Sequence, residues 1–438
     1  MRAYSSKRIA IAFAVIVGFL SLAAIGAAVA RIYVSPIYIR VFEGQTFSVD
    51  MGPLGRGAVV VDPPDSLLMD AAIGSKVEVT PTKAGRTRLE VRLFNAIPVK
   101  RLVVDVVPQM RVIPGGHSIG ILLASRGVRV MGMYPVVGSD GLRYMPARDG
   151  GIEVGDMIVS VDGYEVHEPR QLETLVSEGA LGGRPVRMGI VRDGREFDVT
   201  VLPAPADGGY RIGVYVRDNA AGVGTLTFWH PGTMRYGALG HVVVDSQTGK
   251  EIPITDGRIV SARVSGIDLS GAGRPGEKIG TFAGARDNVG VVEANTEVGI
   301  YGTLDAPLPN PYYADPIPVA LAAAVHEGPA EILTVVTGSS IERFEIEIVK
   351  VAKQSRIAGK GIVIRVVDPR LLELTGGIVQ GMSGSPIIQD GKLVGAVTHV
   401  FVSDPSRGYG VFAEHMLNVA GLMEGSERAA GWIVLLAA

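Results

Sequence analysis

The chain has 438 residues, 47% of them hydrophobic, and no cysteine. That is enough apolar mass for roughly two or three cores, while a disulfide framework, a thiolate metal site and a cysteine nucleophile are excluded. Its 42 basic and 44 acidic side chains leave a formal net charge of −2, so no global field draws it to nucleic acid.

Arg2, Lys7 and Arg8 precede an uncharged run from Ile9 to Ala30, which Arg31 closes. Roughly 20 such residues suffice to cross a bilayer as a helix. The expectation is a signal anchor or transmembrane helix over residues 1–31, its basic end in the cytoplasm and the rest of the chain extracytoplasmic. Small residues from Ala23 to Ala30 keep a cleavable signal peptide open as the competing reading.

Residues 32–108 alternate in short bursts, with strand candidates at Tyr38 to Phe42, Ala58 to Val61, Lys76 to Val79, Thr87 to Leu93 and Arg101 to Val107. Gly-Pro, Pro-Pro and Lys-Ala-Gly-Arg turns separate them, the pattern of a small all-β, sandwich-like module. A spacer and a docking surface would read alike here.

Residues 109–203 carry Gly151-Ile152-Glu153-Val154-Gly155-Asp156-Met157-Ile158 and then Val161-Asp162-Gly163. Pro169 opens a helix whose Leu172, Leu175 and Val176 share one face. The segment resembles a PDZ domain. That resemblance implies a peptide-binding loop at Ser118, Ile119, Gly120 and Ile121, beside a groove that takes an extended peptide as an added strand. The same isoleucines could instead fill a core.

Pro203 to Gly209 is linker-like, and residues 204–438 read as a peptidase domain. Strand candidates at Ile212 to Val216, Gly224 to Phe228, His241 to Val244, Gly290 to Val292, Ile332 to Val336 and Phe344 to Val351 suggest paired β-barrels of chymotrypsin-like architecture. Val411 to Leu422 is the one substantial helix candidate. The fold class expected for the whole chain is mainly β.

The chemistry concentrates at Gly381-Met382-Ser383-Gly384-Ser385-Pro386. A serine between glycines, before a buried strand, projects its hydroxyl, and the flexible backbone lets amide groups converge on an oxyanion. Ser383 is the candidate nucleophile, Ser385 its competitor, and the N–H groups of Gly381 and Ser383 the oxyanion donors. A serine needs a base, and of seven histidines His241 follows the glycine at Gly240. His399 is the rival. No His-Glu-x-x-His pair or phosphate-cradling Gly-Lys-Ser/Thr loop is present, and no metal or cofactor is expected.

Gly237-Ala238-Leu239-Gly240-His241, the block from Asp368 through Gln380 to Ser383, and Gly395 through His399 to Gly410 resemble the stage IV sporulation protein B family of serine peptidases. The resemblance implies His241 as base and Asp368 as the carboxylate that orients it; Asp245 is a further candidate orienter. It also implies an extracytoplasmic serine endopeptidase, located between the two forespore membranes, that processes itself near its N-terminus. Its expected substrate is a membrane-anchored inhibitor of an intramembrane metalloprotease, whose release activates a sigma factor in sporulation. The enzyme's own N-terminal region would be a PDZ ligand or substrate. The alternative is a catalytically silent PDZ scaffold of the cell envelope.

Overall fold

A computed structural model describes residues 37–50, 58–61, 66–69, 76–94, 96–192, 194–244, 251, 256–281, 288–352 and 358–423, with helical residues 13, 15–21, 23, 24, 26 and 27 before them. Most of the expected anchor therefore lies outside the described residues, and among those described no helix is long and apolar enough to cross a membrane. The architecture is mainly β.

The N-terminal module is two facing sheets. One orders Ile37–Phe42, Ile97–Val107, Gly85–Leu93 and Ala58–Val61; the other orders Phe47–Asp50, Lys76–Pro81 and Leu67–Met69. Alternating residues turn Val49, Val79, Leu89, Val91, Leu102 and Val104 into the core between them.

The next two units share strands. β1 (Ser118–Met133) begins in one unit and ends in the other. Its second half joins a PDZ sheet with β2 (Met157–Val161), β3 (Val186–Arg192) and β4 (Arg195–Val201), covered by helix α1 (Pro169–Gly179). Pro169 starts that helix, and Leu172 and Val176 bury its inner face. β5 (Val214–Trp229) runs back antiparallel to the whole of β1, from Val214 opposite Met133 to Thr225 opposite Ser118.

Barrel one closes through β5, β6 (Arg235–Ala238), β7 (Asp256–Ser261), β10 (Asn288–Thr296), β11 (Gly299–Leu304) and the first half of β1. β7 pairs with β1 and β10, β11 with β10 and β6, and β6 with β5, which returns to β1. The hairpin β8 (Arg263–Asp268) and β9 (Glu277–Thr281) is set between β7 and β10 in the chain. Ile113, Ile119, Ile121, Leu226, Tyr236, Ile259 and Ile300 form the barrel's core.

Barrel two is closed in the order β12 (Gly328–Thr334), β13 (Glu342–Val351), β14 (Ile362–Val366), β17 (Asp404–Phe412), β16 (Lys392–Phe401) and β15 (Pro386–Gln389). Along β13, Phe344, Ile346 and Ile348 point inward while the intervening glutamates face out, the period-two pattern of a strand with one wet face. α2 (Pro369–Thr375) and α3 (Ala413–Val419) are its short helices. Val411 and Phe412 still belong to β17, so the expected helix from Val411 to Leu422 is shorter than its apolar spacing suggested. Arg40 of the sandwich lies 2.9 Å from Asp105 and 3.1 Å from Glu414 of α3, holding that module on barrel two.

Ser118, Ile119, Gly120 and Ile121 do not form a peptide-binding loop. They lie in the half of β1 that is paired on both edges, with β5 on one side and β7 on the other, and Ile119 and Ile121 are barrel-one core. No strand edge is left there to receive a peptide. The PDZ edge beside α1 is instead the start of β5: Val214 to Val216 pair with β1 on one side, and α1 packs against this segment. Barrel one thus takes residues from both sides of the PDZ domain, which is inserted within it.

Candidate active site

The nucleophile loop runs from Gln380 to Pro386 and leads into β15. Gly381 and Gly384 sit at φ +90° and +94°, where a side chain is strained. A Cβ on Gly384 would stand 1.9 Å from the Thr225 carbonyl oxygen and 2.5 Å from the Leu239 nitrogen. Only glycine permits that approach, and through it the loop of barrel two touches barrel one. Thr225 then grips the loop twice: its N–H donates to the Ser383 carbonyl at 2.9 Å and its hydroxyl to the Gly381 carbonyl at 2.8 Å. The Thr227 hydroxyl donates to the Gly384 carbonyl at 2.8 Å. Ser383 remains partly exposed, whereas Ser385 is fully buried. Burial leaves Ser385 no route to a substrate carbonyl.

The loop's backbone separates into engaged and free amides. Met382, Gly384 and Ser385 donate to the carbonyls of Val379, Val397 and Met382. The N–H groups of Gly381 and Ser383 donate to no backbone carbonyl among the described residues. Their direction follows from peptide planarity, because N–H and C=O of one trans peptide point opposite ways. The Gln380 carbonyl accepts from the Lys278 N–H at 2.9 Å, and the Met382 carbonyl accepts from Ser385 N–H at 2.9 Å. The N–H groups of Gly381 and Ser383 are therefore turned away from those two partners, and both belong to the same tight loop. Two such donors beside a serine hydroxyl are what a developing oxyanion requires.

His241 stands in the loop after β6, where Leu239 and Gly240 adopt φ +67° and +71°. The expected strand from His241 to Val244 is not formed; the glycine turn, rather than a following strand, aims the ring. A Cβ on Gly240 would lie 2.8 Å from Thr398 Cγ2 and 3.0 Å from Val411 Cγ1, so the loop is pressed onto β16 and β17. His241 Nδ1 lies 2.8 Å from the Val242 carbonyl oxygen. A carbonyl can only accept, so Nδ1 carries the proton and Nε2 the lone pair. Burial lowers the His241 pKa below its ordinary value, with the Val242 bond opposing. That keeps the ring in its base form at neutral pH.

The His399 ring lies with its centroid 5.1 Å from that of His241. Desolvation, and then the neighbouring His241 and Lys360, lower its pKa to about 4. The Ser383 hydroxyl donates to the Thr398 carbonyl at 2.7 Å. Reaction requires that bond to be exchanged for one to imidazole, a rotamer change about χ1.

Asp368 is not beside the imidazole. It is the N-cap of α2: its carboxylate accepts from the N–H groups of Arg370 at 2.9 Å, Leu371 at 3.2 Å and Glu345 at 3.2 Å. Pro369 at the first helical position completes that start. The orientation expected of Asp368 is supplied instead by a backbone carbonyl, that of Val242. Asp245 lies outside the described residues. Thr225, Thr227 and Lys278 went unnoticed in the sequence, since their contacts with the loop span more than a hundred residues of chain. The alternation of Thr225 and Thr227 in an apolar strand is the only local trace.

The chain is similar to known proteins over two regions. Residues 208–417 match the family described as SpoIVB peptidase S55, and residues 130–202 match the PDZ domain family. Among curated proteins, the magnetosome formation protease MamE of Magnetospirillum gryphiswaldense is 34% identical over 85 residues, 19% of this chain and 10% of that protein. MamE of Paramagnetospirillum magneticum is 33% identical over 81 residues, 18% of this chain and 10% of that protein. The matched stretch thus spans about a tenth of the length of these relatives. Among solved structures, the active form of the Rv3671c protease of M. tuberculosis aligns with a TM-score of 0.27 and 16% identity, covering 50% of this chain and 80% of that one. An inactive form of the same protease aligns at 0.26 and 18% identity, covering 45% and 84%.

Proposed function

Residues 208–417 being a SpoIVB-type S55 serine peptidase domain, joined to a PDZ domain, we propose that the chain is an endopeptidase of the extracytoplasmic space that acts on itself and on a membrane-anchored regulatory protein. The observation that carries the reading is the loop around Ser383, held between two barrels with two amides turned free and His241 pressed against the same wall. In the reaction, Ser383 Oγ attacks the scissile carbonyl while His241 Nε2 takes its proton. The N–H groups of Gly381 and Ser383 hold the oxyanion, and the imidazolium returns its proton to the leaving amine. Water then repeats the sequence on the acyl-enzyme.

The finer assignment follows the family. The uncharged run from Ile9 to Ala30 tethers the enzyme to the membrane, and self-processing cuts on its C-terminal side. Cleavage of a membrane-anchored inhibitor releases an intramembrane metalloprotease and, through it, a sigma factor of sporulation. The PDZ domain takes an extended segment of substrate, or of the enzyme's own N-terminal region, along the Val214 to Val216 edge beside α1.

Incubating the purified chain alone and following its intact mass tests this reading. Time-dependent shortening near the N-terminus, lost in Ser383→Ala, is expected. An unchanged mass, or equal shortening of the Ser383→Ala protein, would overturn self-processing.

A further inference from the structure

Lys278, on β9, is the single lysine or arginine among the buried polar residues described, with 1% of its surface exposed. Besides pairing with Ile267 in its own hairpin, it makes three contacts that bear on the nucleophile loop or on the wall behind it. The backbone N–H holds the Gln380 carbonyl at 2.9 Å, within a parallel bridge between Glu277 and Gln380. The aliphatic stem lies under Gly381, where an added Cβ would come within 3.1 Å of Lys278 Cβ and Cδ. The ammonium donates to Thr334 Oγ1 at 2.7 Å, at the end of β12 in barrel two.

Burying an ammonium without a carboxylate partner is costly, and a methionine would fill the same slot without that cost. Burial alone draws the Lys278 pKa down to about 7. Through its Nζ, Lys278 ties β9, whose N–H holds the Gln380 carbonyl, to the barrel that carries the nucleophile loop. If β9 shifted or the peptide rotated, the Gly381 N–H would leave the oxyanion site and a carbonyl would take its place.

We propose that Lys278 is a positioning residue for the oxyanion hole: through its main chain it sets the Gln380–Gly381 peptide, and through its ammonium bond to Thr334 it holds that setting against barrel two. The proposal rests on the serine peptidase reading. It assigns Lys278 no contact with substrate.

The test uses the full chain as wild type, Lys278→Met, Thr334→Val and Ser383→Ala. A fluorophosphonate probe taken to completion counts competent serines, and kcat and KM are measured on fluorogenic casein per labelled site. Lys278→Met keeps the stem and removes the ammonium; Thr334→Val keeps the shape and removes the acceptor. Both are expected to lose about 10- to 100-fold in kcat with KM changed less than about threefold, since one oxyanion donor accounts for about 10²–10³ in kcat. Wild-type kcat per labelled site in both variants overturns the proposal, as does a change confined to KM. If Lys278→Met does not fold, Thr334→Val decides by the same criterion. Failure of the peptidase reading looks different: folded wild type would then neither label nor cleave, and the premise would fall with the proposal.

Discussion

At the scale of single residues, the proposed mechanism separates groups that do chemistry from groups that hold them. Asp368 has its carboxylate spent on three backbone N–H groups. Asp368→Ala should cost about 0.5–2 kcal/mol of stability, the usual loss for an N-cap, while kcat/KM per folded molecule falls only a fewfold. His241→Ala should abolish cleavage as Ser383→Ala does, because nucleophile and base act as one unit. Thermal melts beside casein cleavage separate the two behaviours, and a collapse of activity in a well-folded Asp368→Ala protein would restore the aspartate to the machinery. The pH dependence follows from the same burial. His241 is lowered below its usual 6.5, and the base must be unprotonated, so the acid limb of kcat/KM should have its midpoint below pH 6.5. The stability sign agrees for His241 and His399: each has a native value lowered below its unfolded one, so the unfolded chain binds that proton first, and the stability they contribute is full above about pH 6.5 and falls as pH drops through the lowered native values. For His399 that fall extends to about 4, and melting temperatures across this interval would reveal it.

At the scale of elements, what was legible in the sequence was local. Gly381-Met382-Ser383-Gly384 announced a serine on a tight turn, and Pro169 with Leu172 and Val176 announced the helix found at Pro169–Gly179. The Asp-Pro pair at Asp368, expected to supply the carboxylate that orients the imidazole, is instead a helix start. Pairing was not legible. Ser118 to Ile121, expected by resemblance as a peptide-binding loop, lie in a strand whose two edges are taken by β5 and β7, partners distant in the chain. The grip of β5 on the nucleophile loop is equally non-local, and Thr225→Val tests it. Losing the hydroxyl strands the buried Gly381 carbonyl, at a cost of about 1–3 kcal/mol. It should also lower kcat more than KM, since the loop that aims the amides is loosened. Unchanged melting and kcat would show that Thr225 only fills space.

At the scale of the whole molecule, β1 and β5 form one antiparallel ribbon that is barrel wall at one end and PDZ sheet at the other. The PDZ domain enters and leaves through adjacent strands, with Ala124 opposite Asn219. Joining those residues through an Asn-Gly turn, which suits a two-residue hairpin, should leave barrel one closed and casein cleavage retained while self-processing is slowed. Loss of all folding would mean that the ribbon depends on the PDZ sheet. The same continuity puts the PDZ edge at Val214 and the grip on the Ser383 loop at Thr225 in one strand. The central claim remains that the two barrels present Ser383 to His241 as a working nucleophile. Mass spectrometric mapping of a fluorophosphonate adduct on the full chain tests it most directly: a single adduct on Ser383, absent from Ser383→Ala and strongly slowed in His241→Ala, is the predicted result, whereas an adduct on Ser385, or none on a folded wild-type chain, would contradict it.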